Sequence, residues 1–134
     1  MRITICGSMD FSKEMLDLEA RITKLGHEVV VPKGAEMHAS GKISREDKWT
    51  KIEFDVFKAY FNEIKNSDAI LVLNYSKKGI ENYIGANSLI EMAFAHVLGK
   101  KIYLINPVPE MDYADEIVAL KPIVIYGDIS KIFK

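Results

Sequence analysis

The run Ala69–Leu73, AILVL, constrains this chain most, because five consecutive apolar residues show no inside-outside alternation. A strand that turns one face to water alternates with period two, whereas a strand of a parallel sheet covered on both faces reads as an unbroken apolar run. Residues 2–6, 28–31, 101–105 and 123–126 are further short apolar runs, and the segments between them carry helical periodicity. Helices alternating with buried strands give a three-layer α/β sandwich on a five-stranded parallel sheet, of the flavodoxin-like or Rossmann-like kind, with ligands at the carboxyl ends of the strands. The 134 residues form one domain, 1–134, without repeat, linker or low-complexity stretch.

Composition excludes several classes of function. A formal net charge of -1 gives no broad attraction to nucleic acid or to an anionic membrane, so a small ligand is expected rather than a polymer. Cys6 is the single cysteine, which rules out an internal disulfide and a cysteine-rich metal site, and its place in a strand-like run predicts a buried, inert thiol. His27, His38 and His96 lack metal-ligand spacing, so neither a metal nor a cofactor is expected. No apolar run approaches membrane-spanning length and the chain opens directly on a strand pattern, for which a cytoplasmic location is the default expectation.

Along the chain, the first strand ends in Gly7-Ser8-Met9-Asp10, and Ser12 is placed to cap a helix whose apolar face is Met15, Leu18, Ile22 and Leu25, closed by Gly26. Backbone N–H groups of such a strand-glycine-helix turn can cradle a phosphate or sugar, although a sharp turn alone also calls for the glycine. Neither GxGxxG nor GxxxxGK[ST] is present. Residues 33–44 read as a loop over the same edge. A long helix is expected over 45–66, with Trp49, Ile52, Phe54, Val56, Phe57, Tyr60, Phe61 and Ile64 filling an arc of about 200°. That arc is wider than one sheet contact needs, and the Phe54, Phe57 and Phe61 edge suggests a second copy of the chain. Glu53 and Glu63 interrupt the arc, Glu53 being the nearer to the carboxyl edge. Lys77 and Lys78 can meet a phosphate or simply be solvated, and Asn74 after the third strand speaks against a phospho-acceptor aspartate there.

Residues 84–105 hold the main candidate. Gly85, Ala86 and Asn87 make a close approach with little bulk, and a helix is expected over 89–98, apolar nearly all round and closed by Gly99. Glu91 is its one carboxylate. Ser88-Leu-Ile-Glu91 matches a capping box, in which the glutamate serves only its own helix end. The alternative is a nucleophile or a hook for sugar hydroxyls, since the helix end favours the ionised form and apolar neighbours limit its solvation.

Taken together, Ile5-Cys6-Gly7-Ser8, Ser67-Asp68-Ala69-Ile70-Leu71-Val72 and the segment 85–95 resemble the nucleoside 2-deoxyribosyltransferase family, including its 2'-deoxynucleoside 5'-phosphate N-hydrolase relatives. The resemblance implies a transferase or hydrolase of nucleotide metabolism in which Glu91 attacks the anomeric carbon of a deoxyribose and releases the base. It implies that Gly7, Ser8 and Met9 line the sugar or base pocket, that Gly85, Asn87 and Ser88 hold the 5' end, and that the chain forms a homodimer or larger assembly. The aspartate that the family carries on the preceding helix falls near Tyr60, so Glu53, two turns earlier on the same face, is the substitute candidate. A second hypothesis is a non-catalytic nucleotide-binding or nucleoside-binding module on the same fold. A purely structural role leaves the 85–91 arrangement without a purpose.

Overall fold

The computed structural model describes residues 1–41 and 55–134. Its centre is a five-stranded sheet of β1 (Arg2–Gly7), β2 (Glu28–Val30), β3 (Ala69–Leu73), β4 (Lys101–Leu104) and β5 (Ile123–Val124). The strands are ordered β2-β1-β3-β4-β5 and every neighbouring pair is parallel. This is the flavodoxin-like order, in which the connections leave in opposite directions between β1 and β3 and open a crevice at their carboxyl ends. All five residues of β3 are buried, as its unbroken apolar run requires.

The helices are α1 (Ser12–Lys24), α2 (Ala35–Ala39), α3 (Val56–Lys65), α4 (Ala86–Val97) and α5 (Ala114–Ala119). Strand pleating sends Ile3, Ile5, Leu71, Leu73 and Tyr103 to one face, where they meet Met15, Leu18 and Ile22 of α1. Cys6, Ile70, Val72, Ile102 and Leu104 go to the other face and meet Ile64 of α3, Met92 and Ala95 of α4, and Ile117 of α5. Two separate apolar layers therefore clamp the sheet, as in a three-layer sandwich. No helix among the described residues is long and apolar enough to cross a membrane.

Several boundaries differ from the sequence-based expectation. Ser12 opens α1 but does not cap it: the side-chain cap lies four residues earlier, where Ser8 Oγ accepts from Asp10 N at 3.1 Å and starts a 3-10 turn over Met9–Phe11. The expected loop over 33–44 contains the short helix α2. Of the expected helix over 45–66, the described part starts only at Val56, because Asp55 is left-handed at φ 43° and caps α3 by accepting from Lys58 N at 3.2 Å. Trp49, Ile52, Glu53 and Phe54 lie outside the described residues. Part of the anticipated surplus aromatic edge is used within the chain, since Phe61 packs edge-to-face on Phe94 at 5.2 Å.

Candidate functional site

The crevice between β1 and β3 is closely built at its floor. Gly7 has φ +154°, and a Cβ there would stand 3.2 Å from both Leu73 O and the Met15 methyl. Glycine thus lets the end of β1 press against β3 while the chain turns into Ser8. On the β3 side, the buried Asn74 donates to the carbonyls of Asn106 and Pro107 at 2.8 and 3.1 Å and accepts from Asn106 N at 2.9 Å. Asn106 returns a bond from its own amide to Asn74 O at 3.1 Å. An aspartate could not make these two donations, which accounts for an amide at the position where a phospho-acceptor would stand.

Above this floor a hairpin crosses from the β3 side to the β1 turn. Lys77 and Ile80 exchange backbone hydrogen bonds at 3.1 and 2.9 Å, with Lys78 and Gly79 left-handed between them, as a tight two-residue turn requires. Lys77 Nζ donates to Ser8 Oγ at 2.7 Å and pairs with Asp10 Oδ2 at 3.2 Å, and its side chain is only 23% exposed. Of the two readings for this lysine pair, solvation fails for Lys77, which ties the two loops together over the crevice. Lys78 Nζ lies 5.7 Å from the centre of the Tyr83 ring, as does Lys77 Nζ. Tyr83 in turn covers Gly85, whose missing Cβ would stand 3.3 Å from its ring. Ser8, Lys77, Tyr83 and Gly85 thus form a continuous rim from β1 to the start of α4.

Glu91 reaches this site in a manner that overturns the capping-box reading. Helix α4 begins at Ala86 with Gly85 as its cap and no side-chain capping bond, so Ser88 is a buried third residue and Glu91 stands in the second turn. The cause lies just upstream: Ile84 is buried and its carbonyl accepts from the Tyr113 hydroxyl, which fixes the chain one turn before the serine. Ser88, Met92 and Ala95 mark the inward stripe of α4, and Glu91, three residues after Ser88 and four before Ala95, borders it. Its carboxylate accepts a hydrogen bond from the fully buried Cys6 thiol at the end of β1. Burial, then the charge of Glu91, then this bond push the thiol well above its usual value, so sulfur keeps its proton. Tyr60 of α3 forms the third wall, with its hydroxyl donating to Ile5 O. Burial first, then the nearby Cys6, Glu91 and Glu63, push this phenol up as well.

The structure therefore brings Gly7, Ser8, Gly85 and Glu91 to one edge, together with Cys6, Tyr60 and Lys77, for which the sequence left other or open readings, and Tyr83, which it did not mark. Asn87 is the second residue of α4 and Ser88 the third, at the same end of the helix. Met9 packs partly against the core below. Glu53 lies outside the described residues. Two hollows flank the Lys77 tie. One of ≈ 390 Å³ is lined by residues 79–82 and 108–110, the other of ≈ 340 Å³ by Met9, Asp10, Ser12, Lys13, Glu14, His38 and Gly41. Glu91 lines neither of them. No group of three or more His, Cys, Asp or Glu side chains suited to a metal occurs among the described residues.

Comparison with known proteins finds no family model, no curated protein and no solved structure that matches the chain. What the fold and site define is a class: a flavodoxin-like α/β protein with one carboxylate set beside the strand ends at its switch point.

Proposed function

We propose that the protein cleaves or transfers at the N-glycosidic bond of a 2'-deoxynucleoside or its 5'-monophosphate, with Glu91 as nucleophile. The observation that carries this reading is the place of Glu91 beside the end of β1. Glu91 stands in the second turn of α4 rather than at its cap, near enough to Cys6 at the carboxyl edge of the sheet for its charge to bear on the thiol, and ligands of such folds bind at that edge. One carboxylate oxygen of Glu91 attacks the anomeric carbon, the carbon–nitrogen bond breaks, and its electron pair leaves with the base. Water or a second base then attacks the same carbon and frees the carboxylate. Dividing one difficult substitution into two steps, each with a carboxylate beside an oxocarbenium-like centre, is sound chemistry for a sugar bearing no 2'-hydroxyl. Gly7, Ser8 and Met9 would border the sugar or base, Gly85, Asn87 and Ser88 the 5' end, and Lys77 is the cation at hand for a monophosphate. Glu53 is retained as the proposed acid that protonates the leaving base.

The second reading, a nucleotide-binding or nucleoside-binding module without turnover, draws on Tyr60. Its hydroxyl is committed to Ile5 O, so the residue at the family's aspartate position does not offer a proton to a leaving base. We also propose a cytoplasmic homodimer, joined through the α3/α4 face where Val97 is 83% exposed.

Incubation with deoxynucleosides and their monophosphates, with and without an acceptor base, separates the two readings. Free base released by the wild type should fall by roughly a thousandfold or more in Glu91→Ala with the circular-dichroism spectrum unchanged. Saturable binding without base release would instead establish the module.

A further inference from the structure

The hairpin that crosses the crevice is held differently at its base and at its tip. At the base, the Tyr75 ring stands edge-on to the buried Phe11 at 5.3 Å, and Tyr83 N donates to Tyr75 O at 3.0 Å. At the tip, Lys77 and Ile80 close on each other through their backbones, which makes the tip a small rigid unit. Ser76 and Glu81, both exposed, and Asn82, left-handed at φ 59°, join tip to base. Among the described residues, the polar ties from the tip to the β1 turn come from one side chain: Lys77 Nζ lies 2.7 Å from Ser8 Oγ and 3.2 Å from Asp10 Oδ2.

We propose that residues 76–82 form a strap latched by Lys77, whose release from Ser8 and Asp10 lets the tip swing off the crevice between β1 and β3 and admits a ligand to the strand ends. The inference goes beyond the glycosyl reading and rests on it only for the choice of test ligand. Gly79 and Ile80 of the strap line the hollow of ≈ 390 Å³, whereas Asp10 of the β1 turn lines the one of ≈ 340 Å³. The two sides of the tie thus border different hollows, and the latch stands between them. Each hollow lies at the small end of the roughly 300–1,000 Å³ of ligand pockets, so a ligand spanning the switch point needs the strap out of its way. The latch is also light enough to open. The Asp10 side chain is 56% exposed, so its ion pair is well screened and its carboxylate turns to water when the pair parts. The freed ammonium has a second resting place on the Tyr83 ring, whose centre lies 5.7 Å away in the latched state.

The strap can be followed without a ligand. A nitroxide on Lys78→Cys, at the exposed tip, leaves Cys6 unlabelled because that thiol is fully buried. The mobile component of its electron-spin spectrum should grow about twofold or more in Lys77→Met, in Asp10→Ala and in about 1 M salt, while a label on Glu116→Cys of α5 should not respond. Association is then timed with the four common 2'-deoxynucleosides on Glu91→Ala protein, which removes turnover. Adding Asp10→Ala should raise the association rate about threefold and lower Kd by the same factor, with dissociation changed less than about twofold, because the closed population no longer has to open first. A Lys78 label indifferent to both substitutions and to salt overturns the strap and leaves the glycosyl chemistry standing. A loosened label with association unchanged in Asp10→Ala overturns it as well, since the tip would then move without gating anything. A label that loosens as expected in a protein that binds none of the deoxynucleosides supports the strap and overturns the glycosyl reading instead.

Discussion

The two ends of the sheet solve the same problem in opposite ways. At the amino end, Arg2 pairs with Glu63 at 2.5 Å and Glu28 at 3.6 Å, Arg2 N donates to Asp68 Oδ2 at 2.7 Å, and Thr4 shares a 2.6 Å hydrogen bond with Ser67. Those contacts join strand starts to the end of α3 and leave the charges answered by one another. At the carboxyl end, polar groups are also held, but by partners from loops that leave the sheet in different directions: Lys77 on Ser8 and Asp10, Cys6 on Glu91. Hollows open beside the tie. Polar ties at the first end act as fasteners. At the second, the Lys77 tie stands beside two hollows, at the edge where folds of this strand order bind ligands.

The comparison can be broken most easily at Asn74. If the carboxyl end relies on a rigid floor, Asn74→Ala should cost about 3 kcal/mol, because it strands an N–H and two carbonyls that the side chain now satisfies. Thermal unfolding should show a fall of roughly 10 °C. Asn74→Asp should not rescue, since it sets a carboxylate against two carbonyl oxygens. A loss under 1 kcal/mol in urea titration would mean that the clasp contributes no more than an ordinary surface contact.

A second effect, absent near neutral pH and growing in alkali, follows from the raised Cys6 and Tyr60 groups. Both hold their protons more tightly in the folded state than in the unfolded chain, chiefly through burial. As pH rises past the unfolded thiol and phenol values, the unfolded chain sheds protons that the native protein keeps, so stability present below roughly pH 8.5 drains away above it. The slope can reach about 1.4 kcal/mol per pH unit for each group. Denaturant titrations between roughly pH 8 and 11 should show this decline, flatter in Cys6→Ser and in Tyr60→Phe. A curve unchanged by both substitutions would place these side chains in water.

Much of this architecture is legible in the sequence, and the reason is periodicity. AILVL needs no tertiary information to report a strand covered on both faces, and the other apolar runs repeat the message in order. The glutamate was legible as a residue out of place on an apolar helix, but its role was not. Ser88 and Glu91 satisfy a local capping pattern, while the start of α4 is decided by the buried Ile84 and by a tyrosine 29 residues further on. The same limit applies to Lys77, which finds Ser8 69 residues away. Local pattern reports which segments are strand and helix; only the packed chain reports which loops meet. Asp55 shows a third kind of failure, since a left-handed residue inside an amphipathic pattern leaves no trace in the period.

The smallest effect belongs to the amino end and sharpens the contrast. Arg2 carries two ion pairs, yet its side chain is 33% exposed, and those of Glu63 and Glu28 are 41% and 76% exposed. Solvent screening therefore limits the pairs to about 1 kcal/mol together. Arg2 Nε is buried with no hydrogen-bond partner among the described residues, which subtracts from that sum. Arg2→Met keeps the apolar stem and the backbone bond to Asp68, so it should lower stability by about 1 kcal/mol or less, with most of the loss gone in high salt. It should also leave nucleotide binding and base release at wild-type levels. If Arg2→Met instead changed binding as much as it changed stability, the amino end would no longer be a fastener alone, and the division of labour between the two ends of the sheet would have to be abandoned.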